Sequence, residues 1–310
     1  MFTKNKTKFD WLAQESAPRE FPMRIIDGTF YYHGLNHGLY VPTAASITPG
    51  WGMGRSAHVV GDDFKALPDR LDVRFYSFWE NKLYRGSFDL PYEKILMLFN
   101  EGVALDKEHP TFRNIVVGVA PGGAVAVWVS GREAREVFFG QAEPYEAEIY
   151  NTLGSIIKNK QEYAERNLKY LPPDVYERIK KEGIPLGLWG KYRKIYSWSF
   201  SSEQEKKIGD FGVSFFNGER YKIPTPFEKN FQPKPIPFSI GFINVFPGDK
   251  TEYVYSIGFD FFETSEAMEK LSANGQQVTV AINPRLPKNT STISLTNGDE
   301  TIELKKIIHK

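Results

Sequence analysis

The order of strand and turn signals along this chain occurs twice, and that recurrence limits the fold more than any single motif does. Residues 71–79 (LDVRFYSFW) and 83–90 (LYRGSFDL) are rich in β-branched and aromatic side chains and flank a short polar turn, which predicts a β-hairpin. Pro91 then opens a helix whose Ile95, Leu98 and Phe99 share one face, and Gly102 is placed to end it. Residues 115–119 and 124–129 predict a strand pair around Pro121-Gly122-Gly123, where glycine supplies the positive φ of a turn. A further strand over 133–139 follows Gly131.

The same order returns later. Tyr84-x-x-x-Phe88-Asp89 is matched by Tyr255-x-x-x-Phe259-Asp260, and Ile95, Leu98 and Gly102 by Met268, Leu271 and Gly275. IVVGVAP (115–121) is matched by VTVAINP (278–284), and Gly131-x-Glu133 by Gly298-x-Glu300. Upstream, Gly28-x-x-Tyr31-Tyr32-His33-Gly34 finds a counterpart in Gly212-x-x-Phe215-Phe216-Asn217-Gly218. Shared order at a slowly drifting spacing is the mark of a repeat. A chain of 310 residues also exceeds the ~250 at which single cores stop growing. The expected fold is therefore α+β, with two tandem pseudo-repeated modules, each an antiparallel sheet carrying one helix on a face. The modules occupy residues 1–142 and 210–310, joined by a helical connector over 143–209.

Within the connector, Glu148, Ile149, Leu153, Ile156 and Ile157 have helical spacing, Pro172-Pro173 breaks the pattern, and Asp174 is placed to cap a second helix. It ends in a cluster, Leu188-Trp189, Tyr192-Arg193, Tyr196 and Trp198, too aromatic for a free linker, and is expected to pack between the modules.

Four features resemble a known family: Trp51-Gly52, the LxVRFYSFxExKLYxGxFxLP hairpin, GVAPGGAVAVWVSG, and Trp189-x-x-Tyr192-Arg193 before an aromatic strand. The likeness, covering about residues 11–198, is to an uncharacterised bacterial family of domain-of-unknown-function proteins, many of them described as envelope lipoproteins. APGG followed by alternating Val and Trp is its most specific element, and it is structural rather than catalytic. Some relatives lie beside type VI secretion effector genes, so the resemblance implies an immunity or accessory role. Lipoprotein relatives carry a leader and an acylated cysteine, and this chain has no Cys. Expectation divides accordingly: a periplasmic or outer-envelope protein with a lipid anchor on its precursor if a leader was removed, a cytoplasmic one otherwise.

Composition removes several chemistries. Without cysteine there is no disulfide framework, thiolate zinc site, iron-sulfur centre or cysteine nucleophile. Lys and Arg number 39 against 38 Asp and Glu, so charge balance gives no reason to expect a nucleic-acid partner, and no apolar run is long enough for a membrane span. His33 and His37 have the spacing of a helical zinc pair, but HGLNHG reads as a turn; His58, His109 and His309 lack partners at recognisable spacing. Ser155-x-x-Lys158 has serine–lysine hydrolase spacing without that class's companion motifs and reads as a polar position on a connector helix. Gly50-Trp51-Gly52-Met53-Gly54-Arg55 lacks the strand–loop–helix setting of a phosphate site and reads as a loop packing Trp51 closely. Asp62 and Asp63 are adjacent in a loop; Asp89 and Asp260, before equivalent helices, are expected to cap them.

These observations favour a non-enzymatic binder of a protein partner, a toxin or an envelope component, acting by steric occlusion. No cofactor, metal or catalytic residue is assigned. Binding is expected at Trp51, Arg55, Pro121, Gly122, Trp189, Tyr192 and Arg193, the residue types and turns that anchor interfaces. The alternative is a hydrolase or sugar-active enzyme with two carboxylates facing each other between the modules, roughly 5–9.5 Å apart.

Overall fold

A computed structural model describes residues 6–43, 46–103, 105, 108, 110–151, 153–203, 207–228 and 231–309; His109 lies outside them. The fold is mixed α+β with strands predominating. The chain divides into two compact units, Met1–Gly190 and Lys191–Lys310. Among the described residues no helix is long and apolar enough to cross a membrane.

The first unit begins with β1 (Lys8–Phe9), β2 (Leu12–Ser16), β3 (Met23–Tyr32), β4 (Gly38–Tyr40) and β5 (Lys65–Ala66). The expected hairpin follows as β6 (Pro68–Ser77) and β7 (Lys82–Asp89), paired from Ser77↔Lys82 to Arg70↔Asp89 across a turn in which Asn81 takes φ 51°. Next come α1 (Tyr92–Glu101), β8 (Asn114–Ala120), β9 (Ala124–Ser130), β10 (Ala134–Gln141) and β11 (Glu143–Tyr145). Gly102, at φ 68°, ends α1 with its N–H bonded to the Leu98 carbonyl at 2.8 Å. Gly123, at φ 82°, turns β8 into β9 where a Cβ would sit 2.5 Å from the Ala142 oxygen, so only glycine fits.

These strands do not share one sheet. One sheet runs β11-β7-β6-β3-β4 and another β2-β8-β9-β10, with β2 parallel to β8. The expectation of a single antiparallel sheet per module fails here because α1 carries the chain from β7 in one sheet to β8 in the other. Between the sheets Leu71, Val73 and Phe75 meet Ile115, Val117, Val127 and Val129, while Ile95 and Phe99 of α1 close the same core. Burial of this apolar set, at ~25 cal/mol per Å², is the main force holding the sheets together.

Residues 143–190 belong to this unit. The helix expected around Ile149 to Ile157 is absent: Tyr150 bridges Ile156, Gly154 adopts φ 78°, and the Asn151 side chain accepts from the N–H groups of Leu153 and Ser155, both at 2.9 Å. A side chain able to bond the backbone locally competes with helix, and it wins here. Helix α2 (Lys160–Leu168) starts later, capped by Asn159, which accepts from Glu162 N–H. In α3 (Pro173–Glu182) the N-cap is Pro172, without a side-chain cap, and Asp174 lies in the first turn rather than at the cap. α4 (Leu188–Lys191) is a single turn. Tyr163, Ala164 and Leu168 of α2 bury Tyr76 and Phe78, covering one end of the outer face of β6.

The second unit contains β12 (Tyr196–Ser201), β13 (Ile208–Phe215), β14 (Arg220–Lys222), β15 (Gln232–Lys234), β16 (Pro237–Asn244), β17 (Tyr253–Gly258), α5 (Phe261–Leu271), β18 (Val278–Asn283), β19 (Thr292–Thr296), β20 (Thr301–Glu303) and β21 (Ile308–His309). One sheet includes the run β14-β13-β16-β17-β21, the other is β15-β12-β18-β19-β20, and β12 is parallel to β18. Asp260 caps α5, accepting from Glu263 N–H at 2.9 Å. Asp89 does not cap α1: Leu90 and Pro91 intervene, Pro91 is the N-cap, and Asp89 stays on β7 opposite Arg70.

Candidate functional site

The residues chosen from sequence are dispersed. Loop 50–55 runs along the open edge of β2, with Gly50 N–H to Ala17 and Arg55 N–H to Glu15, both at 3.0 Å. Trp51 meets Trp128 edge-on at 5.0 Å between ring centroids and lies 6.5 Å from Trp189. Beneath them a Cβ at Gly118 would fall 2.5 Å from Trp128 and 3.1 Å from Trp51, so this loop is organised around close ring packing. Trp189 is itself buried, edge-on to Phe21 at 5.5 Å. Arg55 is exposed and donates to the Ser46 carbonyl. Pro121 is buried; Gly122 N–H donates to Glu80 Oε2 at 2.9 Å, and the same carboxylate accepts from the Tyr84 hydroxyl at 2.7 Å. Tyr192, in the second unit, packs between Phe216 and Phe261, and the half-buried Arg193 follows it.

Other candidates separate too. His33 Nδ1 meets Asp69 Oδ2 at 2.9 Å and its ring stacks on Tyr92, whereas His37 lies edge-on to Tyr32. Among the described residues no group of three metal-ligating side chains forms. Ser155 is exposed in a loop, not on a helix, so the serine–lysine spacing places nothing.

What sequence reading missed is a groove of about 580 Å³ on the outer face of the β11-β7-β6-β3-β4 sheet, beyond the part that α2 covers. Strand alternation sends Arg74 and Asp72 of β6 outward while Val73 and Phe75 point to the core. A bulge between Ile25 and Asp27 turns Asp27 to the same side as Arg74. Register then sets the outer side chains in rows. One row across four strands is Asp27, Arg74, Arg85 and Glu143; the next is Thr29, Asp72 and Ser87; then Tyr31, Arg70 and Asp89.

Most charges in these rows satisfy one another. Arg74 Nη2 is 2.5 Å from Asp27 Oδ2, and that hydrogen bond holds the guanidinium still more basic than usual. Asp72 Oδ1 accepts from the Ser87 hydroxyl at 2.6 Å and lies 3.5 Å from Arg70 Nε, while the Arg70 guanidinium covers the Tyr31 ring at 3.8 Å. The side chains of Arg85, Glu143 and Asp89 make no ion pair or hydrogen bond among the described residues; of these Arg85, exposed, lies beside Arg74 on one side and Glu143 on the other. The Arg85 guanidinium lies over the Tyr145 ring, 5.5 Å from its centroid, and burial pushes the pKa of the Tyr145 hydroxyl up. The signal was available in the alternation of residues 70–74 and 85–89. The rows needed the register, which one sequence does not state.

No curated protein and no solved structure matches the chain. A family model described as "Protein of unknown function (DUF2931)" matches residues 2–187, more than half of the chain and the whole of the groove, and the chain therefore belongs to that family.

Proposed function

We propose that the first unit is a non-enzymatic binding module that holds a protein partner across the groove and acts by occluding it. The observation that carries this reading is Arg85, the one cation of the groove left without a counter-ion among the described residues. A guanidinium stays protonated at any physiological pH, so it suits recognition rather than proton transfer. Of the carboxylates that line the groove, Asp27 and Asp72 are engaged by Arg74 and by Ser87, which leaves Glu143 without a partnering base or acid among the described residues. Arg55, exposed on its loop, is a candidate contact for the same partner. The family resemblance supplies a setting for the proposal, an immunity or accessory role in a bacterial secretion or envelope system, with a lipid anchor on the precursor.

We also infer that the two units descend from one module. Supporting this, β4-β3-β6-β7 and β14-β13-β16-β17 follow the same order, as do β2-β8-β9-β10 and β12-β18-β19-β20. Matching the Phe75↔Tyr84 pair to Phe242↔Tyr255 makes Gly212, Gly241 and Ser256 the counterparts of Asp27, Arg74 and Arg85. The scaffold thus stands without these charges, which ties them to a task of the first unit.

The test is co-purification with the product of an adjacent gene. Stoichiometric capture is expected, and Ser87→Trp, which fills the groove from an exposed position, should abolish it without lowering the melting temperature. Capture unaffected by Ser87→Trp, or turnover of any compound by the purified chain, would overturn the reading.

A further inference from the structure

The groove's own charge pattern specifies what it takes. We propose that the ligand presents a single carboxylate to Arg85 and Arg74, and that it is an Asp or Glu side chain on an extended segment of a partner polypeptide; this rests on the binding reading above and names its chemistry.

Arg74 and Arg85 sit directly opposite each other on β6 and β7, and like charges at paired positions repel. Arg74 is held in place by Asp27 at 2.5 Å, so the repulsion is not relieved by its moving away. Glu143 is opposite Arg85 on the other flank, yet no ion pair joins them among the described residues. A carboxylate placed between the two strands here would give Arg85 a counter-ion and Arg74 a second acceptor. The planar fork of a guanidinium matches the two oxygens of a carboxylate, which gives direction as well as charge.

Charge around the site selects among anions. Asp27, Asp72 and Glu143 all line the groove, and they would oppose a second negative charge on the ligand. A carboxylate brings one negative charge, whereas phosphate brings close to two. The groove is open along the sheet rather than closed around a small molecule, which suits a side chain carried on an extended chain. The second unit gives an internal contrast: with Gly241 and Ser256 at the corresponding positions it has neither guanidinium and should not bind.

The experiment uses the full chain, with the arginine Nε–Hε resonances followed by NMR and assigned through Arg74→Lys and Arg85→Lys. The probe is a hexapeptide blocked at both ends that carries one glutamate among five glutamines, so that a single side-chain carboxylate is offered, with blocked hexaglutamine and inorganic phosphate as controls. Saturable shifts of the Arg74 and Arg85 signals with the single-glutamate peptide alone are expected, weakening as salt is raised. Arg85→Gln should reduce affinity about tenfold or more, and Arg85→Lys by less, since it keeps the charge and loses the fork. Equal binding of hexaglutamine, tighter binding of phosphate, or unchanged affinity in Arg85→Gln would overturn the proposal. If the adjacent-gene partner is lost in Ser87→Trp while the single-glutamate peptide does not bind, the groove is a binding site and the carboxylate ligand is wrong. If the single-glutamate peptide binds at Arg85 while no partner is captured, the ligand chemistry holds and the partner reading fails.

Discussion

In the first unit the Phe75 ring stacks on Tyr84 with centroids 5.4 Å apart; in the second Phe242 stacks on Tyr255 at 4.9 Å. In each unit, then, a Phe and a Tyr on paired antiparallel strands stack on one another. Where the first unit carries Asp27, Arg74 and Arg85 outward, the second carries Gly212, Gly241 and Ser256. In the parallel strand pairs, Glu15 of β2 stands opposite Val117 and Phe200 of β12 opposite Val280. Both are buried, one acidic and one aromatic. On the common origin proposed for the units, comparing them separates what the fold needs from what the first unit adds to it.

The strongest way to break that comparison is at the shared interior. Phe75→Ala and Phe242→Ala each remove a buried ring and should cost about 3–5 kcal/mol, with the loss confined to the unit that carries the change. Differential scanning calorimetry with hydrogen exchange reads both magnitude and location. A severe loss at one position beside a negligible one at the other would mean that the two interiors are not equivalent.

Glu15 is the sharpest internal difference. It is fully buried, its Oε1 accepts from the Ser56 hydroxyl, and Oε2 has no partner among the described residues. Burial raises its pKa, against the smaller opposing effects of the Ser56 bond and of Arg55. A carboxyl with a raised folded-state pKa binds its proton more tightly folded than unfolded. Stability therefore falls as pH rises from the ordinary carboxylate range through the raised value. Glu15→Gln should melt higher than wild type at pH 7, by an amount on the order of 1–3 kcal/mol, and the advantage should vanish at pH 4. An advantage that persists at pH 4 would place its origin in packing rather than in charge. Nothing in the sequence marked this residue, because a single Glu in LAQES reads as an ordinary strand-surface position.

That contrast shows which parts of the molecule a sequence can declare. The β6–β7 hairpin was legible because both its strands and its turn are encoded locally, and so was the glycine turn between β8 and β9. The partition into two sheets was not, since a helix between two strands is compatible with a return to the same sheet or a crossing to another. Ile149 to Ile157 has helical spacing, but Asn151 and Gly154 override it through local bonds that periodicity does not weigh. The groove escaped because its residues are scattered over β3, β6 and β7 and meet only through register. Aromatic residues prominent in the sequence, Trp51 and Trp189, pack against other rings of the first unit instead.

The caps give a smaller, cleaner contrast. Asp260 accepts the Glu263 N–H at 2.9 Å, whereas Asp89 is separated from its helix by Leu90 and Pro91. Asp260→Ala should cost about 1 kcal/mol, and Asp89→Ala should stay within about 0.5 kcal/mol of wild type. Equal losses in chemical denaturation would show that Asp89 supports α1 in a way its position on β7 does not reveal.

The smallest effect bears most directly on function. If Arg85 is held beside Arg74 for a ligand, the unliganded chain carries an unrelieved like-charge contact, and Arg85→Gln should be a few tenths of a kcal/mol more stable than wild type. Both groups are exposed, so the gain should shrink as salt is raised and the repulsion is screened. The reciprocal change in the second unit, Ser256→Arg, places a guanidinium opposite Gly241, where no like charge awaits it, and should show no salt-dependent loss of stability. Opposite results for the two substitutions would mark Arg74 and Arg85 as a pair kept for recognition at a small cost to the fold. Arg85→Gln destabilising the chain would instead mean that Arg85 supports the sheet, and the argument for its free charge would fall.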